Sequence, residues 1–125
     1  MTERALILFA HGARDPRWAA PFERLQESVQ VQRPDVAVAL AFLELMTPSL
    51  PDLVEQLVQD GCDEVTVVPV FLGQSGHVLR DVPPLVEGLR SKYPGLTVKL
   101  AGAVGEDADV LNAIARYCIG ALAPE

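Results

Sequence analysis

The sequence predicts an α/β protein with a flavodoxin-like, doubly wound sheet of four parallel strands flanked by helices. Short apolar runs alternate four times with stretches in which apolar residues recur every three or four positions. Unbroken apolar runs are typical of strands covered on both sides, and the helical spacing predicts amphipathic helices between them. Right-handed crossovers then give a doubly wound sheet. Because 125 residues are the size of one ordinary domain, we expect a single domain over residues 1–125.

The predicted strands cover residues 4–10, 36–43, 65–72 and 96–100. The last of them alternates apolar and polar residues more than the others, which is typical of an edge strand. Pro69 lies inside the third run, and proline removes a hydrogen bond from a strand ladder. We therefore expect a bulge or an early end in the third strand.

Each helix prediction depends on a stripe of apolar residues at helical spacing. We expect the first helix to end at Pro34, the second to run from Thr47-Pro48 to Gly61, and the third to end at Pro94-Gly95. The stripes are, in chain order, Trp18, Phe22, Leu25 and Val29; Leu50, Leu53, Val54, Leu57 and Val58; Leu85, Val86 and Leu89; and Val110, Leu111, Ile114, Cys118 and Leu122.

Charge and composition exclude several classes of partner. A net charge of −7 argues against nucleic acid and against an anionic membrane surface. No apolar run approaches the roughly 20 residues of a membrane helix, and the N-terminus does not resemble a signal peptide. Cys62 and Cys118 stand far apart, so we expect both to be reduced and packed in or near the core of a cytoplasmic protein.

Three potential metal ligands follow three different strands. His11 comes directly after the first strand, Glu44 after the second, and His77 in the Gly-rich segment after the third. Ligands of such sheets bind beyond the carboxyl ends of the strands, so we expect these side chains at one edge. A single histidine there can simply cap a helix or bond a carbonyl, and a glutamate can be a solvated side chain. The convergence of all three favours a functional site.

The loops at this edge also carry arginines in an otherwise acidic chain. Arg14, Arg17 and Arg80 can pair with the neighbouring Asp15 and Asp81, or can bind carboxylates of a ligand. Phosphate binding by the Gly-rich segment 73–77 is disfavoured, because it lacks the lysine and the spacing of a nucleotide-binding loop.

Two imidazoles and one carboxylate are suited to a divalent cation such as Fe²⁺, Co²⁺, Ni²⁺ or Zn²⁺. Three protein ligands leave coordination positions open, which is typical of a working metal site. Imidazole also accepts protons near neutral pH. Insertion of a metal into a tetrapyrrole needs both properties, since two pyrrole N–H protons must leave; the residues permit this reaction without demanding it.

Four segments of the chain resemble the small, CbiX-type sirohydrochlorin chelatases of the class II chelatase group. They are residues 6–16 (LILFAHGARDP), 41–44 (AFLE), 68–72 (VPVFL) and 76–83 (GHVLRDVP). The resemblance covers nearly the whole chain and implies a chelatase-type lobe. One position departs from the family pattern, because the family usually has Ser after His-Gly and this chain has Ala13.

The resemblance implies an ATP-independent lyase that inserts Co²⁺, Fe²⁺ or Ni²⁺ into sirohydrochlorin, with the metal as substrate and no organic cofactor. His11 and His77 match the family's active-site histidines, and Glu44 matches its acidic metal ligand. We expect Arg14, Arg80, Gln74 and Ser75 to contact the substrate. The resemblance also implies that chains of this length pair as homodimers, which fits the small concave surface that one lobe offers to a macrocycle.

Two alternatives stay open from the sequence. Ala13 and the absence of a second lobe from this sequence are compatible with a metal carrier or tetrapyrrole-binding protein that has no turnover. Phosphotransfer through His11 is the other, but histidine phosphatases carry arginine before that histidine, where this chain has Ala10.

Overall fold

The four strands form one sheet in which all neighbours run parallel. The computed structural model describes residues 3–73 and 76–122, apart from the side chains of residues 76, 77 and 79. The strands are β1 (Arg4–Ala10), β2 (Ala37–Phe42), β3 (Glu64–Pro69) and β4 (Thr97–Leu100). Their order is β2-β1-β3-β4, so β1 and β3 are central and β4 is an edge strand, as its alternating sequence predicts. The predicted four-stranded parallel sheet is confirmed.

Pro69 ends β3 early, which is one of the two outcomes that the sequence predicts. Phe9 and Pro69 are the last register partners of β1 and β3. The next amide, Val70 N–H, donates to the Phe9 carbonyl at 2.8 Å, so the chain stays beside β1 for one further residue. The segment of residues 70–73 therefore begins beside the end of β1.

Four α-helices connect and follow the strands: α1 (Ala20–Gln32), α2 (Leu50–Gln59), α3 (Gly76–Lys92) and α4 (Ala108–Gly120). Short 3₁₀ turns precede two of them, Pro16–Ala19 before α1 and Val104–Glu106 before α4. In the part of the chain that the structure describes, no helix has the length and apolar character needed to cross a membrane.

One predicted helix start is wrong, and another helix begins further upstream than its apolar stripe indicates. The second helix begins after Ser49, not at Thr47-Pro48, because the Ser49 hydroxyl accepts a hydrogen bond from Asp52 N–H at 3.3 Å and caps the first turn. The third begins at Gly76, well before the predicted stripe, because Val78 and Val82 extend that stripe upstream and are buried with Val86. His77 therefore belongs to the first turn of α3 and not to a loop.

The main core lies between the sheet and the layer formed by α2 and α3. Its completely buried side chains are Ile7, Phe9, Leu50, Val54, Val65, Val67 and Val86. A smaller cluster on the other side packs Ala19, Trp18 and Phe22 of the α1 region against Ala10 and Phe42. Helices thus cover both sides of the sheet, as a doubly wound fold requires.

The edge strand β2 is protected by two glutamines of α1. The Gln30 side chain donates to Val36 O at 2.7 Å and accepts from Val38 N–H at 3.0 Å. Gln26 donates to Val38 O at 3.0 Å. These bonds satisfy outward-facing backbone groups that an edge strand otherwise leaves open to pairing with another chain.

The fourth helix departs from the expectation of a packed amphipathic helix. None of the residues of α4, which the structure describes in full, is buried. Cys118 is consequently exposed, which corrects the prediction that both cysteines pack in or near the core, whereas Cys62 is buried as expected. Both cysteines are free thiols.

Candidate functional site

His11 and Glu44 meet at the carboxyl edge of the sheet. His11 follows β1, Glu44 lies two residues beyond β2, and His11 Nε2 is 3.0 Å from Glu44 Oε1. Both side chains are about half exposed, at 45% and 56%. The pair is therefore accessible to a ligand from solvent, and two of the three predicted metal ligands lie together.

Main-chain hydrogen bonds beyond the strand ends hold the two residues side by side. Leu43 N–H donates to Ala10 O at 2.9 Å, and Glu44 N–H donates to His11 O at 3.0 Å. The parallel ladder between β1 and β2 thus continues into the two loops. The proximity of the imidazole and the carboxylate is set by the backbone.

Gly12 allows the loops to approach this closely. Its φ is +101°, a conformation that residues with a Cβ rarely adopt. A Cβ at this position would lie 1.8 Å from the Glu44 carbonyl oxygen, which is far inside van der Waals contact. After Glu44 the chain turns through Leu45, whose φ of 66° is also in the left-handed region.

An apolar cavity of about 460 Å³ lies beside His11. Its walls come from four segments of the chain. They are Trp18 and Phe22 of the α1 region, residues 70–73 after β3, Val104, and Val110 and Ile114 of α4. His11 is thus a polar group at the wall of a largely apolar space, which is typical of small-molecule sites.

Phe71 connects His11 to the core. Its ring is tilted against Phe9 at 5.9 Å between centroids and meets the His11 imidazole edge-on at 6.3 Å. The Phe71 carbonyl accepts from Gly105 N–H at 3.0 Å, which ties this segment to the turn before α4. Neither Phe71 nor Gly105 is among the site residues predicted from the sequence; the position of Phe71 just after a strand, like those of His11 and Glu44, is the signal that was available.

The arginines at this edge differ in their surroundings. Arg17 pairs with Asp15 at 2.7 Å, which is the structural alternative considered for these arginines, and the bond lowers the pKa of the Asp15 carboxyl. Arg14 is exposed and lines a different, larger cavity of about 700 Å³ with Leu45 and Met46. Arg14 therefore does not line the cavity beside His11.

The remaining predicted site residues lie on or just before α3. Gln74 and Ser75 are outside the described residues, and so is the His77 side chain, although the His77 backbone belongs to the first turn of α3. Arg80 lies one turn further along α3 and is exposed. The predicted contribution of these four residues to the site stays a prediction.

His11 Nε2 and Glu44 Oε1 are joined by an imidazole–carboxylate hydrogen bond of 3.0 Å. Imidazole nitrogen and carboxylate oxygen are both ligands of divalent cations, so a cation that replaces this hydrogen bond can bind both atoms. Within the described residues, no group of three or more His, Cys, Asp or Glu side chains comes together. This pair supplies one nitrogen and one oxygen donor.

The fold and this pair define a class of protein: a single parallel α/β lobe with an imidazole and a carboxylate at the carboxyl edge of its sheet. Within that class, the family model described as CbiX matches residues 5–119. The chain belongs to the CbiX family.

The curated relatives of this chain include a sirohydrochlorin cobaltochelatase and a sirohydrochlorin ferrochelatase. The sirohydrochlorin cobaltochelatase of Methanopyrus kandleri is 33% identical over 89 residues, which are 71% of this chain and 62% of that protein. The sirohydrochlorin ferrochelatase of Bacillus subtilis is 24% identical over 112 residues, 90% of this chain and 43% of that protein. The matches thus span less than two thirds of the length of these relatives.

Solved structures show the same lobe. A putative cobalamin biosynthesis CbiX protein from Marinobacter aquaeolei superposes with a TM-score of 0.82 and 34% identity, covering 94% of this chain and 95% of that one. The sirohydrochlorin chelatase SirB from Bacillus subtilis, in complex with cobalt, gives 0.80 with 22% identity over 96% of this chain and 51% of that one. The second likeness concerns the fold alone, and it matches this chain to about half of a longer one.

Proposed function

We propose that the chain inserts Co²⁺, Fe²⁺ or Ni²⁺ into sirohydrochlorin without ATP, as a cytoplasmic homodimer. The observation that carries the proposal is the His11–Glu44 pair, with 3.0 Å between Nε2 and Oε1 and with His11 at the wall of an apolar cavity. Membership of the CbiX family supports it, as do relatives named sirohydrochlorin cobaltochelatase and ferrochelatase.

Metal insertion is balanced by the loss of two protons, because a divalent cation replaces two pyrrole N–H hydrogens. The cation is the substrate, and it first binds His11 Nε2 and Glu44 Oε1. When it moves to the macrocycle nitrogens, Nε2 becomes free and takes up one pyrrole proton. In this proposal His77 also binds the cation, and it then accepts the second pyrrole proton.

In this scheme Glu44 binds the metal cation and does not contact the macrocycle. Its carboxylate balances part of the cation's charge and, before the cation binds, holds the imidazole ring through the 3.0 Å contact. The apolar walls formed by Trp18, Phe22 and Phe71 suit the flat faces of a tetrapyrrole. Arg14, Arg80, Gln74 and Ser75 are the proposed contacts for its peripheral carboxylates.

The proposal is tested by anaerobic insertion of each of the three metals in parallel, followed by the absorbance change of sirohydrochlorin. We expect His11→Ala and Glu44→Gln to lower the rate about tenfold or more, since each removes a metal ligand. Glu64→Gln is the matched control: Glu64 lies at the opposite end of the sheet, where it pairs with Lys99 at 3.5 Å, and the rate should stay unchanged.

Two outcomes contradict the proposal in different ways. Wild-type activity in a His11→Ala, His77→Ala double variant excludes these residues as the site. Metal or porphyrinoid binding by the wild type without insertion above the spontaneous rate instead indicates a binding protein.

A further inference from the structure

The His11 imidazole contacts two neighbours that differ in kind. The Glu44 carboxylate is hydrogen-bonded to Nε2 at 3.0 Å. The Phe71 ring meets the imidazole edge-on, with 6.3 Å between the centroids and 64° between the ring planes. A cation that binds Nε2 takes the place of the hydrogen bond, but it does not displace Phe71. The Phe71 ring is therefore the contact that orients the imidazole both with and without a cation.

Phe71 is itself held from several directions. Its side chain is 5% exposed, and its ring lies 5.9 Å from the ring of the completely buried Phe9. On the side of β1, Val70 N–H donates to Phe9 O at 2.8 Å. On the other side, Gly105 N–H donates to Phe71 O at 3.0 Å. The backbone that carries the ring is thus bonded both to β1 and to the turn before α4.

Gly105 leaves no room between this segment and the turn before α4. A Cβ at Gly105 would lie 1.9 Å from the Leu72 carbonyl oxygen and 2.8 Å from Leu72 Cα, which is far inside van der Waals contact. Among the glycines that the structure describes, Gly12 and Gly61 have a positive φ and Gly105 does not. The backbone conformation therefore does not call for glycine at this position. The close approach of the two segments does.

The segment fastened in this way forms one wall of the cavity beside His11. Residues 70–73 and Val104 line that cavity, and the Leu72 side chain is 63% exposed there. A displacement of this segment therefore changes two things at once. It moves the Phe71 ring relative to the imidazole, and it moves the wall that a ligand meets.

We propose that Phe71 and Gly105 are positioning residues of the His11 site. Phe71 orients the imidazole, and Gly105 acts through Phe71 by fixing the segment that carries the ring. The metal-binding part of this inference rests on the proposed function, whereas the ring contact does not. Neither residue has a side-chain donor atom for a cation. An imidazole that is already oriented loses less freedom when it binds a cation, so the effect is expected in metal affinity.

The first test uses the metal-free protein, so that its result is independent of the proposed chemistry. In the wild type, nuclear Overhauser effects should connect the His11 imidazole protons with the Phe71 ring. Gly105→Ala should remove them, because the added Cβ forces the neighbouring segment away. Gly102→Ala is the matched control: a Cβ at Gly102 meets nothing within 4 Å, and the ring contact should remain. A wild type without this contact, or a Gly105→Ala protein that keeps it, overturns the proposal.

The second test does not require Gly105→Ala to fold. Phe71→Leu keeps an apolar side chain in the core but removes the ring that meets His11. Titration with Co²⁺ should give a Kd about three- to tenfold above that of the wild type, which is the range of one aromatic contact. Val86→Ala is the control, because Val86 is 1% exposed on α3 and its truncation loosens the core without touching His11; the Kd should stay unchanged. An unchanged Kd in Phe71→Leu overturns the proposal.

A double variant tests whether Gly105 acts through Phe71. If it does, Phe71→Leu combined with Gly105→Ala should bind Co²⁺ no more weakly than Phe71→Leu alone. Additive losses contradict this path. Metal insertion by a protein whose Kd is unchanged in these variants overturns the positioning roles and leaves the proposed function standing. Loss of the ring contact together with weaker Co²⁺ binding, in a protein that inserts no metal, supports the positioning roles and contradicts the proposed function.

Discussion

Gly12 is the residue on which the approach of the His11 and Glu44 loops depends. Its φ is +101°, and a Cβ placed on it would lie only 1.8 Å from the Glu44 carbonyl oxygen, so the position has space for hydrogen only. A side chain here must push the loop after β1 away from the loop after β2. The main-chain bond from Glu44 N–H to His11 O is the first contact that this displacement breaks.

We therefore expect Gly12→Ala to destabilise the protein by about 2 kcal/mol or more, from backbone strain and the forced displacement. It should also weaken Co²⁺ binding, because the two donors separate. Urea unfolding and metal titration measure the two effects. Gly88→Ala is the control: a Cβ at Gly88 meets nothing within 4 Å, and alanine should stabilise α3 by up to about 1 kcal/mol. Equal stability of the two variants would contradict this view of Gly12.

At the scale of elements, the two glutamines of α1 that bond to β2 determine how the open edge of the sheet behaves. The Gln30 side chain bonds to Val38 N–H in β2, to Val36 O just before β2, and to Arg33 O just after α1. It therefore joins the end of α1 to the strand that follows. A parallel edge strand without such partners is a template for pairing with other chains.

Gln30→Met keeps the length and helix propensity of the side chain but removes these hydrogen bonds. We expect a loss of about 1–2 kcal/mol in unfolding free energy and faster aggregation on heating. Gln32→Met is the matched control, since the bonds of Gln32 within the described part of the chain go to Ser28 of the same helix; its effect should stay within about 0.5 kcal/mol. Chemical denaturation and light scattering measure both. If Gln32→Met costs as much as Gln30→Met, the edge bonds do not stabilise β2.

The elements that the sequence predicts correctly are those with strong periodicity. All four strands and four helices are predicted, and the early end at Pro69 is one of the two outcomes expected there. The start of α2 is missed because Ser49 and not Thr47 bonds to the first turn. The first turns of α3 lie upstream of its predicted stripe, and α3 contains Pro83 and Pro84, which argue against a helix when read alone. The buried Val78 and Val82 outweigh the prolines, which is a tertiary effect.

At the scale of the whole molecule, the stability is unevenly distributed. β1 and β3 are central and carry completely buried side chains, whereas α4 has none. Hydrogen exchange should follow this distribution. We expect β1 and β3 amides to exchange only by global unfolding, and α4 amides to exchange fastest among the helices.

The amides of α2 should exchange more slowly than those of α4, because Leu50, Val54 and Leu57 of α2 are buried. Mass spectrometry of proteolytic peptides resolves these segments. Exchange in α4 as slow as in α2 would contradict this distribution of stability.

The site is predictable from the sequence only as far as the topology determines it. Parallel strands end at one edge, so the meeting of His11 and Glu44 follows from their positions after β1 and β2. The cavity wall does not follow, because Val110 and Ile114 reach it only through the path of the chain after β4. An apolar stripe predicts that α4 is a helix, but it does not predict how exposed that helix is.

The backbone bond between Glu44 and His11 has a consequence for how such a site can diverge. Because main-chain atoms carry the bond, it is available to every residue except proline at position 44. In the proposed role of Glu44 as a metal ligand, its oxygen donor can therefore be exchanged for a softer nitrogen or sulfur donor while the loops keep their positions. Under that proposal, metal preference can change without a change of architecture.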